Sequence, residues 1–177
     1  MNIEKLKYPI GKFNNPGQLT KTQRVKMIKS IKKLPKRLTK VVDNMSQEQL
    51  STPYRKGGWT VAQVVHHLAD SHINSYVRFK WALTEDTPMI KAYDETLWAD
   101  TQDAKSLNVK YSLQILKGVH NRWSTVMELM SEDDYNRQLA HPEWKDKLSL
   151  HTMLALYSWH SKHHLAHITE LAKRKKW

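Results

Sequence analysis

The residues best suited to chemistry in this chain are its histidines, ten in 177 residues. His66, His67 and His72 lie together in VVHHLADSH, and His160, His163, His164 and His167 in WHSKHHLAHI; His120, His141 and His151 stand apart. Side chains four residues apart on an α-helix project from the same face, one above the other. His160 and His164 therefore offer two imidazoles to one ion, at the spacing used by helical HExxH zinc sites. Ser161 stands where that motif has its glutamate, so the zincin general base is missing. The chain has no cysteine, which leaves imidazole, carboxylate and water as ligands.

Met153, Leu156, Tyr157, Ile168 and Leu171 share the stripe of His160 and His164, which turns the pair toward an interior. Buried neutral imidazoles are costly without a hydrogen-bond partner or a metal. A third ligand has to come from another helix, and VVHHLADSH is the obvious donor. His67 sits beside Leu68 at the edge of an apolar stripe, with His66 about 100° further round. Asp70, three residues after His67, is the candidate acceptor for an imidazole N–H. Asn74 and Arg78 continue that face, and Arg78 suits either an anionic substrate or a structural role. Tyr157 is placed to reach the pocket or to fill core, and Trp59 and Trp159 read as packing residues. Spacing does not select one set, because 160/164 and 163/167 are equally spaced and all four histidines lie within an arc of about 100°.

Elements that could position these groups are visible as periodic apolar stripes. One helix is predicted from about Lys21 to Asn44, with Val25, Ile28, Ile31, Leu34, Leu38 and Val41 recurring and a kink or break at Pro35. Ser46 with Gln49 and Thr60 with Gln63 have capping-box spacing. The second helix is predicted to follow Thr60 and end before Pro88. A polar stretch over residues 88–103 makes the longest connection, with Trp98 as its anchor to the body. Further helices are predicted near Leu107–Met130, on a stripe that includes Ile115, Trp123 and Leu129, and near Ser149–Lys173. Four amphipathic helices with one long crossover make an all-α, four-helix bundle, in one domain over residues 1–177.

Composition removes several classes of function. Five glycines and six prolines are too few for a many-stranded fold. No apolar run reaches the roughly 20 residues of a membrane span, and the N-terminus lacks a signal-peptide core; a cytoplasmic protein is expected. The net charge of +12 is concentrated in KMIKSIKKLPKRLTK and in KRKKW. Without any nucleic-acid-binding signature it reads as a solvated helix face and a basic last turn. A basic, non-enzymatic binding module is kept as a contrasting class.

The stretches YPIGKF, TPYRKGGWTVAQVVHHLADSHINSYVRFKWALTEDTP and YSWHSKHHLAHITEL resemble the YfiT branch of the DinB/YfiT family of metal-dependent four-helix proteins, along nearly the whole chain. The resemblance implies one metal-binding histidine from the second helix and two from the fourth, which fall here on His67, His160 and His164. His167 falls where many relatives have glutamine, which implies pocket lining. It further implies one divalent ion per chain, zinc with nickel as the alternative, and a homodimer. It points to a metal-dependent hydrolase acting on a small molecule, with an ion that activates water. The alternative is a thiol S-transferase of the bacillithiol type, in which the same ion would activate a low-molecular-weight thiol.

Overall fold

The computed structural model describes residues 2–177. In chain order its elements are α1 (Ile3–Lys7), α2 (Lys21–Val42), α3 (Gln47–Ser51), α4 (Val61–Thr84), α5 (Glu95–Ala99), α6 (Lys110–Leu129), α7 (Glu132–Asn136), β1 (Gln138–Leu139), β2 (Leu148–Ser149) and α8 (Leu150–Lys175). The four long helices make the bundle; β1 and β2 pair antiparallel just before α8. Helix starts follow their capping residues. Thr20, Ser46 and Thr60 each accept a hydrogen bond from the third amide of their helix, while Gln23, Gln49 and Gln63 reach back to the cap backbone. No helix among the described residues is long and apolar enough to cross a membrane.

Helices α2 and α4 each pack against both α6 and α8. Consecutive long helices α2 and α4 therefore face each other across a diagonal, as do α6 and α8. Residues 43–60 and 130–149 carry the chain across those diagonals. The longest connection, predicted over residues 88–103, spans residues 85–109; it joins neighbours and holds α5 in its middle. Trp98 is not its anchor: the indole is 42% exposed and leans on Tyr93. The adjacent Ala99 does that work, with its side chain buried and its carbonyl accepting from Gln63 Nε2 at 2.8 Å.

Three stripe assignments fall on exposed positions. Val25 and Leu129 are 57% and 80% exposed, and Ile115 is exposed too. Along α2 the buried positions are Arg24, Ile28, Ile31, Leu34, Pro35, Leu38 and Val42, a stripe stepped by three and four with Leu34 and Pro35 side by side on it. Arg24 takes the place beside Val25 because its guanidinium is satisfied there, by Glu132 at 2.5 and 2.6 Å and by the Leu19 carbonyl at 2.7 Å.

Pro35 does not break α2, which runs through it. An interior proline costs about 3 kcal/mol of helix stability. Ile31, Leu34 and Leu38, all essentially buried, offset that cost through packing at about 1.5–3 kcal/mol each. The apolar core falls into two halves. One gathers the first half of α2, the end of α4, the end of α6 and the start of α8, around Ile31, Phe79, Trp123 and Leu154. The other gathers the opposite ends, around Leu38, Val65, Leu116 and Ile168. A belt of histidines and serines lies between them. Trp123, fully buried, closes the first half against Phe79 at 5.3 Å and Tyr157 at 5.4 Å between ring centroids. Trp123→Ala is expected to cost about 3–5 kcal/mol, read as a lowered urea midpoint; an unchanged midpoint would remove this residue from the core.

Candidate metal centre

The start of α4 shares its half of the core with the end of α8, so these neighbours run antiparallel and set His67 opposite His160 and His164. The three residues each bring a ring nitrogen within 4.8 Å of the other two. His67 Nε2 and His160 Nε2 are 3.2 Å apart. Ring centroids are 4.4 Å apart for 160/164, 4.7 Å for 67/164 and 5.2 Å for 67/160. His67 and His164 are buried, whereas His160 is half-buried. The Trp59 ring lies 4.6 Å from His67 and 6.4 Å from His164, so this tryptophan walls the cluster as well as packing.

Burial lowers the basicity of all three rings. It takes His67 down to about 4, with His167 adding to the effect. His160 and His164 fall well below the usual histidine value through burial and then through neighbouring imidazoles. The cluster is therefore neutral near pH 7, and neutral imidazole is the form that ligates a metal.

The remaining histidines divide by their partners. His66 is fully occupied: its Nε2 donates to the Ser106 carbonyl at 2.9 Å, and its Nδ1 meets Ser112 Oγ at 2.7 Å. His163, His164 and His167 form a second group with ring nitrogens within 4.8 Å. His167 Nε2 donates to the Lys7 carbonyl at 2.9 Å, with its ring stacked on Tyr54 at 4.0 Å. His163 stacks on Trp159 at 4.3 Å, and the Trp159 indole donates to the Gly11 carbonyl. His141 and His151 accept from the backbone amides of Glu143 and Leu19.

Asp70 does not pair with an imidazole; among the described residues its carboxylate makes no hydrogen bond to His67. At three residues from His67 and four from His66, it lies about 60° and about 40° round the helix from them, between the two. Burial and then Asp103 raise its carboxyl to about 6, against a smaller lowering by His66. Asn74 Nδ2 donates to the Asp70 backbone carbonyl. Arg78 is buried and donates to the Lys91 carbonyl at 3.1 Å, the structural alternative for this residue. Tyr157 packs 5.4 Å from His160 and donates to the Ser71 carbonyl at 3.2 Å.

The residue that does reach His160 is His72, through Nε2 at 3.2 Å from His160 Nδ1, and behind it stands His120 at 2.8 Å. Neither stands out from the sequence as a site residue, since His72 lies about 140° round α4 from His67 and His120 has no histidine near it in the chain. The legible signal is Pro35, which frees a carbonyl inside a helix.

Comparison with known proteins places these residues in a family context. A model described as the DinB superfamily matches residues 30–168, a stretch that includes all the histidines of the belt. A Bacillus subtilis protein named "Putative metal-dependent hydrolase YfiT" is 45% identical over 177 residues, covering 100% of this chain and 99% of its own. A Geobacillus thermodenitrificans protein named "Putative metal-dependent hydrolase" is 48% identical over 175 residues, with 99% and 98% covered. A solved structure of YfiT from Bacillus subtilis, described as a probable metal-dependent hydrolase with an unusual four-helix bundle topology, superposes with a TM-score of 0.95 at 46% identity, covering 98% of this chain and 99% of that one.

The belt makes stability depend on pH in a defined direction. In the folded protein His67, His120 and His167 titrate at about 4 and His163 at about 3, each chiefly because of burial. Below pH 6.5 the unfolded chain binds protons that these folded imidazoles refuse, so stability falls as pH drops from 6.5 toward 4 and is level above 6.5. Asp70 acts in the opposite sense but is one group against several. Urea midpoints of metal-free protein are expected to be flat from pH 7 to 8 and to drop steadily below 6.5. A midpoint insensitive to acid would contradict neutral burial of the belt.

Proposed function

The chain belongs to the DinB superfamily, and on that premise we propose that it is a metal-dependent hydrolase whose divalent ion is held by His67, His160 and His164. The observation that carries this reading is the convergence of three neutral imidazoles, from two helices, within 4.8 Å. Their chemistry fits zinc: two nitrogens about 2.0–2.1 Å from one tetrahedral ion sit about 3.3 Å apart, and His67 Nε2 and His160 Nε2 are separated by 3.2 Å. His164 Nδ1 is buried without a partner, as expected of a ring whose environment is incomplete without a further group. The names of the relatives support metal dependence and hydrolysis at the same coarse level.

Such an ion, held by three neutral ligands, would supply Lewis acidity toward water or a substrate carbonyl. The protein's own part is positional. Antiparallel α4 and α8 set the three rings, burial keeps them unprotonated at neutral pH, and Trp59 shields His67 and His164 on one side. His160 is the least buried of the three. His66 already spends both ring nitrogens on a backbone carbonyl and a serine, so it takes no part in this reading.

Protein purified without a histidine tag is expected to carry about one divalent ion per chain by elemental analysis. His160→Ala and His164→Ala are each expected to lose it, and His163→Ala to retain it. Ester turnover should disappear on chelation and return with added zinc. Stoichiometric metal missing from the wild-type protein, or turnover indifferent to chelation, would contradict the proposal. Turnover that needs an added thiol would replace hydrolysis with thiol transfer at the same centre.

A further inference from the structure

Proline at position 35 has no backbone N–H, so the carbonyl of Ile31, four residues earlier in α2, has no helical partner. It lies 2.7 Å from His120 Nδ1. A carbonyl oxygen can only accept, so the His120 proton is on Nδ1 and the lone pair of that ring is on Nε2. His120 Nε2 is 2.8 Å from His72 Nδ1; His72 must donate there, which leaves its own lone pair on Nε2. His72 Nε2 is 3.2 Å from His160 Nδ1. His160 donates in turn, and its lone pair is left on Nε2, the atom 3.2 Å from His67 Nε2.

The surroundings hold this sequence of bonds in one direction. His72 and His120 are 0% exposed. Their rings lie 4.8 Å apart and nearly parallel, with Trp123 edge-on to both and Tyr157 edge-on to His72. Burial keeps both rings neutral, with His120 lowered to about 4 and His72 well below the usual histidine value. Each ring therefore has one donor and one acceptor, and the carbonyl at the far end decides which is which. The links come from α2, α6, α4 and α8 in turn.

We infer that Pro35, His120 and His72 are positioning residues that fix the tautomer and orientation of His160, so that its Nε2 is the atom presented to a cation. This rests on the three-histidine reading above for the cation, but the tautomer pattern itself does not. Partners that orient a ligating imidazole typically carry about 10–100-fold in metal affinity. The chain would place that role on a helix, α2, that supplies no ligand.

The test uses metal-free, 15N-labelled full-length protein and long-range proton–nitrogen spectra of its imidazoles. His120, His72 and His160 are each expected to be protonated on Nδ1; an Nε2–H form of His72 or His160 would overturn the inference. Pro35→Ala restores an N–H to the Ile31 carbonyl and is expected to give His160 a mixture of tautomers and weaken zinc binding by about tenfold or more. His72→Leu is expected to lose about 10–100-fold in zinc affinity. His72→Gln keeps an acceptor near the position of Nε2 and should stay within a few-fold of wild type. Equal zinc affinities for His72→Leu and His72→Gln would overturn the positioning role. Zinc binding with Nε2–H on His160 would remove the chain alone, whereas the Nδ1–H pattern without zinc binding would remove the metal centre and leave the chain standing.

Discussion

A neutral imidazole carries one hydrogen-bond donor and one acceptor, and in a packed helical core each needs a partner of the right kind. This protein puts a belt of such rings between the two apolar halves of its bundle. Three of them form a directed line from the Ile31 carbonyl to the edge of the candidate centre. The line begins where Pro35 leaves a carbonyl unpaired, and it would have no fixed direction without that origin. Much of the architecture reads as support for this belt. The diagonal arrangement of α2 and α4 makes α6 and α8 neighbours of both, so all four helices can contribute to one polar layer.

That layer carries an energetic burden. Unpartnered buried polar atoms cost roughly 1–3 kcal/mol each, and Nδ1 of His163, His164 and His167 are such atoms. The two apolar halves offset the burden, and a bound cation would add to the stability of the folded state. Binding and stability are thereby coupled, because any ligand that prefers the folded state stabilises it by mass action. The same burial that strains the metal-free core keeps the imidazoles unprotonated and available as ligands at neutral pH.

The helices were legible in the sequence because their stripes repeat over many residues and their caps are chemically specific, as Thr60 with Gln63 shows. Single positions were less legible. Val25 looks like core, yet Arg24 is buried in its place because Glu132, 108 residues away, satisfies the guanidinium. Trp98 looks like an anchor, yet a backbone carbonyl one residue on does the anchoring. At the centre, i,i+4 spacing identified a chelating cluster on α8 and a partner in VVHHLADSH, and the structure brings His67, His160 and His164 together. Spacing could not see that Asp70 makes no hydrogen bond to His67, or that His72 and His120 stand behind His160, because those contacts depend on which helices adjoin.

The two histidine groups share His164, and the account depends on the ion lying with His67 and His160 instead of with His163 and His167. An anomalous difference map at the zinc edge, from crystals of the zinc-loaded protein, addresses that choice directly. The account expects one dominant peak bounded by His67, His160 and His164, with His160 bound through Nε2. A dominant peak among His163, His164 and His167, or none near either group, would contradict it.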